Sequence, residues 1–66
     1  MEFKDRLKDL RIKNGLTQGE LASKLFISRQ SLSHYELGYS LPNRMVLNSM
    51  ALYLNVSLKY LLNGHD

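Results

Sequence analysis

The feature that most limits this chain is a helix-starting residue set repeatedly in front of a short apolar stripe. Thr17, Ser28, Asn43 and Ser57 each stand just ahead of a segment whose apolar residues recur at helical spacing. Such side chains accept from the free N–H groups of a helix's first turn. Thr17 is followed by Glu20, the capping-box spacing. Asn14-Gly15, Gly38 and Asn63-Gly64 close helices, because these residues tolerate a left-handed backbone. No apolar/polar alternation flanked by turn residues competes, so no strand is expected.

The resulting helices come in order. The first runs from Glu2 to about Lys13 on the stripe Phe3, Leu7 and Leu10, and the mixed charges Lys4, Asp5, Arg6, Lys8 and Asp9 are read as its solvated face. The second buries Leu21, Ala22 and Leu25, with Ala22 small enough for a close helix crossing. Phe26-Ile27 makes the turn, and the third helix runs from Ser28 to Gly38. After the loop to Pro42, a fourth helix carries Leu47, Met50, Ala51 and Leu54. A short fifth buries Leu58, Leu61 and Leu62. The fold class is all-α: one domain, residues 1–66, folded as a compact five-helix bundle.

At 66 residues and with no cysteine, neither disulfides nor a thiolate metal site supports so small a core. No apolar run approaches the roughly 20 residues of a membrane span and no leader precedes the fold, so the cytoplasm is the expected compartment. Net charge is +3, compatible with a polyanionic partner without requiring one.

On the third helix, Arg29, Gln30, Ser33 and His34 fall within an arc of about 140° at 100° per residue, opposite Ser31, Leu32 and Tyr35. A solvated helix face is also polar. This one lacks Glu, Asp and Ala, the common fillers of an idle surface, which favours contact with a partner. Arg can fork onto guanine O6 and N7, Gln can pair with adenine N6 and N7, and short polar side chains allow close approach. The neighbouring helix N-termini at Gln18 and Arg29 suit phosphates.

With those residues in view, the chain resembles the phage repressor and Cro type of helix-turn-helix, the xenobiotic-response-element family, from Leu7 to Gly64. The matching parts are Leu10-Arg11, Gly15-Leu16-Thr17-Gln18, Glu20-Leu21-Ala22, Leu25, Ser28-Arg29-Gln30-Ser31-Leu32, Glu36 and Gly38. Pro42, Leu47, Ala51, Leu54, Val56-Ser57-Leu58 and Leu61-Leu62 continue them. The resemblance implies a lambda-repressor-like fold and a double-stranded DNA operator as partner. It implies base contacts by Arg29, Gln30, Ser33 and His34, and phosphate contacts by Gln18, Ser28 and the backbone from Leu37 to Tyr39. Arg44, at the start of the fourth helix, is expected to meet phosphate too. Arg11 matches a position that pairs with the acid at Glu36. Pairing of two copies around the fifth helix puts Leu58 and Tyr60 at the interface of a homodimer. Two positions depart from the pattern. Phe26 stands where glycine is usual, so that either the turn differs or Phe26 packs on the first helix; Leu37 replaces a more common polar residue.

The function expected is that of a sequence-specific transcriptional regulator, a repressor, with no enzymatic activity, cofactor, metal or small-molecule ligand. An antitoxin, a protein-recruiting module and the DNA-binding piece of a longer ligand-sensing regulator remain as alternatives. Ser33, His34, His65 and Asp66 give no ordered triad, and two histidines without cysteine give no zinc site.

Overall fold

The computed structural model of the chain describes residues 1–65, and Asp66, set aside above as a triad acid, lies outside them. Five helices follow one another: α1 (Phe3–Lys13), α2 (Gln18–Leu25), α3 (Arg29–Leu37), α4 (Arg44–Tyr53) and α5 (Leu58–Asn63). The caps explain the boundaries. Glu20 N donates to Thr17 Oγ1 at 3.1 Å while Thr17 N donates to Glu20 Oε1 at 2.8 Å, closing a capping box on α2. Ser28, Asn43 and Ser57 accept from Ser31 N, Val46 N and Tyr60 N, opening α3, α4 and α5. Gly38 and Gly64 end α3 and α5 at φ of 81° and 80°, a left-handed backbone that costs glycine little.

The helices close around Leu7, Leu21, Leu32, Met50, Leu54 and Leu61, all fully buried, with Leu10, Ala22, Leu25 and Ala51 completing the core. α1 packs on α3 and α5, α2 on α3 and α4, and α4 on α5. Each short helix therefore buries its stripe against two others, which matters because helices of this length are marginal alone. No strand occurs among the described residues.

Four expectations need correction. Leu62 is 43% exposed rather than buried. At 100° per residue it lies about 100° round α5 from fully buried Leu61, beyond what a six-residue helix can cover. Leu58 and Leu47 are half-buried at the margin of the core. Phe26 is 94% exposed and does not pack on α1. The turn keeps the geometry usual for glycine, with Phe26 at φ 57° and ψ 39°, so a bulky residue holds a left-handed conformation without packing in return.

The fourth concerns Arg6, which is buried rather than solvated. Its Nη1 donates to Leu61 O at 2.9 Å and Leu62 O at 3.4 Å, and its Nη2 to Met1 O at 2.7 Å. The guanidinium thus satisfies carbonyls at the C-terminal end of α5, where the helix leaves acceptors unpaired and the macrodipole is negative.

Candidate nucleic-acid interface

α3 is held from beneath before it presents anything outward. Glu36, buried on its core-facing side, accepts from Arg11 Nε at 2.7 Å and Arg11 Nη2 at 3.1 Å, a bidentate pair joining α1 to α3. Gln18 Nε2 donates to Glu36 Oε1 at 3.1 Å, bringing the first residue of α2 into the same network. Arg11 Nη1 donates to Leu16 O at 2.9 Å, fixing the link before α2. A buried carboxylate with three donors holds the register of α3 against both α1 and α2.

Above this brace α3 is regular, so Arg29, Gln30, Ser33 and His34 do share one side of it. Arg29 and Gln30, in the first turn, are exposed. Ser33 and His34, one turn on, are half-buried rather than fully exposed, and the loop after α3 folds back beside His34. The His34 ring lies 5.6 Å from that of Tyr39, tilted by 56°. Tyr39 N donates to His34 O at 2.9 Å, so the loop is tied to the helix by backbone as well. Leu37 enters the same arc at its C-terminal end and is exposed. Sequence reasoning had assigned it only a backbone role.

The residues expected at phosphates lie around the rim. Ser28 Oγ accepts from Ser31 N and donates to Ser31 Oγ at 2.9 Å, so it serves first as the cap of α3. Gln18 is half-buried in the Glu36 network, whereas Tyr39 and Arg44 are exposed on the loop and the first turn of α4. Lys4 crosses the backbone at Gly38, where a Cβ would stand 2.7 Å from its Cδ, and pairs with Asp5 at 3.3 Å. Leu58 and Tyr60, expected between two copies, are half-buried on α5.

The charges are unevenly spread along the chain. Between residues 21 and 65 the sole carboxylate side chain is Glu36, and its charge is consumed internally by Arg11. Lys24, Arg29, Arg44 and Lys59 are the exposed charges of that stretch. Exposed acids lie earlier, at Glu2, Asp5 and Glu20. The carboxyl of Glu20 is held below its ordinary value by the Thr17 N–H first and the Thr17 side chain next, with Lys24 adding a smaller effect. Among the described residues no group of three His, Cys, Asp or Glu side chains comes together as a metal site, and no helix is long and apolar enough to cross a membrane.

Arg6 and the exposure of Leu37 were the sequence reading's omissions here. A wheel of α1 centred on Phe3 would have found Arg6. Leu7 and Leu10 fall within about 40° of the centre, with Arg11 and Arg6 flanking them at about 80° and 60° on opposite sides.

Two short helices crossing over a buried acid, with the second aimed outward, define a helix-turn-helix of the phage-repressor type within a five-helix bundle. A family model described as a helix-turn-helix domain matches residues 5–66, and the chain belongs to that family. It is 44% identical over 66 residues to the HTH-type transcriptional regulator ImmR of Bacillus subtilis, covering 100% of this chain and 51% of that protein. It is 36% identical over 66 residues to the HTH-type transcriptional activator BcrR of Enterococcus faecalis, covering 100% of this chain and 32% of that one. The crystal structure of the P22 c2 repressor in complex with a synthetic operator matches with a TM-score of 0.93 at 26% identity, covering 98% of each chain. The chain thus spans about a third to a half of the length of these curated relatives, and nearly the whole of the repressor chain.

Proposed function

We propose that this domain is a non-enzymatic, sequence-specific regulator of transcription that binds double-stranded DNA in the cytoplasm. It acts as a repressor, reading the major groove with α3 as a homodimer on a near-palindromic operator. The observation that carries the reading is the pairing of an outward polar arc on α3 with the scarcity of carboxylates in the stretch of chain that carries it. The only acid of residues 21–65 is buried under the helix, where it braces the arc instead of repelling a polyanion. The P22 c2 repressor, whose chain matches this one nearly end to end, is itself seen on an operator.

Arg29 and Gln30 enter the groove first, with Ser33 and His34 a turn behind, and supply donors and acceptors for base edges. Gln18, Ser28, Tyr39 and Arg44 hold the flanking phosphates and set the depth of entry. Repression needs only that the bound domain occupy its operator, as the operator-bound P22 c2 repressor that this chain resembles does. One copy offers few contacts. Pairing through Leu58 and Tyr60 makes the second half-site an intramolecular target and raises affinity without new chemistry. The half-sites then lie about 34 Å apart.

The test is titration of a fluorescent random duplex at several salt concentrations. DNA binding gives an affinity that falls linearly in log–log form as salt rises, by about 0.9 log unit per decade of salt for each phosphate neutralised. No binding at low salt would leave the arc to a protein partner and end this reading.

A further inference from the structure

The two buried arginines of α1 are tied to different ends of the proposed machine. Arg11 holds α3, the reading helix, through Glu36, and Arg6 holds the C-terminal turn of α5 through Leu61 O and Leu62 O. Five residues apart on a helix, they are separated by about 7.5 Å along its axis and about 140° around it, so one rod faces α3 with one guanidinium and α5 with the other. α1 packs on both those helices.

We infer that Arg6 is a positioning residue for operator spacing: it locks α5 to α1, and through α1 to α3, so that a dimer joined at α5 holds its two reading helices at one separation. The inference rests on the homodimer proposed above. Three features of the site support it. Arg6 ties α1 to the end of α5 by side-chain hydrogen bonds, and it reaches Met1 O as well, at 2.7 Å. The end of α5 is fitted to it: a Cβ at Gly64 would stand 2.6 Å from Arg6 Nη2 and 3.0 Å from Nε, so glycine there admits the guanidinium. Finally, α5 has only six residues and cannot hold its own orientation, since so short a helix depends on tertiary contacts.

The two-fold symmetry of a dimer magnifies any slack. A rotation of α5 against α3 occurs in both protomers, and the error between the two reading helices doubles. Shifting one half-site by a base pair moves it by about 3.4 Å and turns it by about 35°. A rigid dimer cannot follow that displacement, whereas a loosened one can.

The experiment compares the wild-type chain with Arg6→Met and Arg6→Lys, using anisotropy on three kinds of duplex: an isolated half-site, the preferred two-site operator, and operators with one or two base pairs added or removed between half-sites. Lysine can reach one carbonyl but cannot span Leu61, Leu62 and Met1 together, so it carries the comparison should the methionine variant fail to fold. The wild type is expected to lose about tenfold or more per base-pair shift. The variants should bind the half-site within about twofold of wild type, bind the preferred operator about tenfold more weakly, and show a flattened dependence on spacing. An unchanged spacing profile in a folded variant overturns the inference. So does an equal loss on the half-site, which would place the action of Arg6 on α3 itself. A wild-type chain that binds DNA but ignores spacing overturns the dimeric reading and this inference with it. A wild-type chain that binds no duplex is told apart by the first titration alone.

Discussion

Replacing Glu36 by alanine removes the acceptor on which two donors from Arg11 and one from Gln18 converge. In the variant Arg11 keeps its contact to Leu16 O and loses its counter-charge in a site where the Glu36 side chain is 3% exposed and that of Arg11 10%. Water cannot reach in to compensate, so the cost is that of a buried pair broken on one side, about 3–5 kcal/mol. A chain of 66 residues has a total stability of about 3–10 kcal/mol, so Glu36→Ala is expected to take away a third or more of it. At roughly 4–8 °C per kcal/mol for a domain this small, the thermal midpoint falls by about 12–40 °C. Urea unfolding followed by circular dichroism at 222 nm measures the free energy directly. The companion variants are Arg11→Met and the double variant with Glu36→Met. Removing both charges into packed apolar side chains is expected to recover most of the loss, because the attraction and the two desolvation costs disappear together. A single-variant loss below about 1 kcal/mol, the range of exposed pairs, would refute the reasoning. So would a double variant whose loss equals the sum of the singles.

Further outcomes follow from particular residues. Phe26→Gly relieves about 1–2 kcal/mol of left-handed strain, sacrifices no buried contact since Phe26 is exposed, and loses about 0.5–1 kcal/mol to glycine's greater freedom when unfolded. A net gain of about 0.5–1 kcal/mol is therefore expected in the same urea assay, and a clear loss would show that the ring has a partner within the fold. Glu20 has its folded pKa lowered below 4.5, so its contribution to stability is complete above that value and is lost as pH falls through the folded pKa. Carboxyl NMR titration should show the depression shrink in Thr17→Ala, which removes the side-chain contact, and persist in part because the residue 17 N–H still donates to Glu20; a Glu20 titration unchanged by that substitution would count against any share of the Thr17 side chain in it. Arg44→Ala should weaken binding to all duplexes alike and flatten the salt slope by about 0.9 per protomer, and an unaltered slope would remove Arg44 from the phosphate contacts.

Most of the helical layout was legible because its signals are local. Thr17, Ser28, Asn43 and Ser57 each cap the first turn that follows them, and a cap needs no knowledge of the tertiary fold. The family pattern extended this to the buried Arg11–Glu36 pair, which joins residues 25 apart and could not be read from periodicity. What escaped was decided by neighbours. Arg6 looks solvated in a mixed-charge stretch until the end of α5 arrives over it. His34 reads as fully exposed on the wheel, and it is the loop carrying Tyr39 that covers it in part. Leu62 looks apolar enough to be buried, yet it stands 43% exposed along an open apolar groove shared with Phe3, Leu41, Pro42 and Leu47. Phe26 broke the expected glycine pattern without changing the turn, because the hydrogen bonds of Phe26 N and Ile27 N to Ser23 O and Ala22 O, and the cap at Ser28, hold the backbone there.

Whether α3 reads base edges is decided by selection of bound sequences from a random duplex pool, run in parallel with the wild-type chain and Gln30→Ala. The wild-type pool is expected to converge on a two-fold-symmetric motif with half-sites about 34 Å apart, and the Gln30→Ala pool to lose preference at one base per half-site by about 1–3 kcal/mol while keeping the rest of the motif. A wild-type pool with no enriched motif, or a Gln30→Ala pool identical to it, would show that α3 does not read base edges through Gln30.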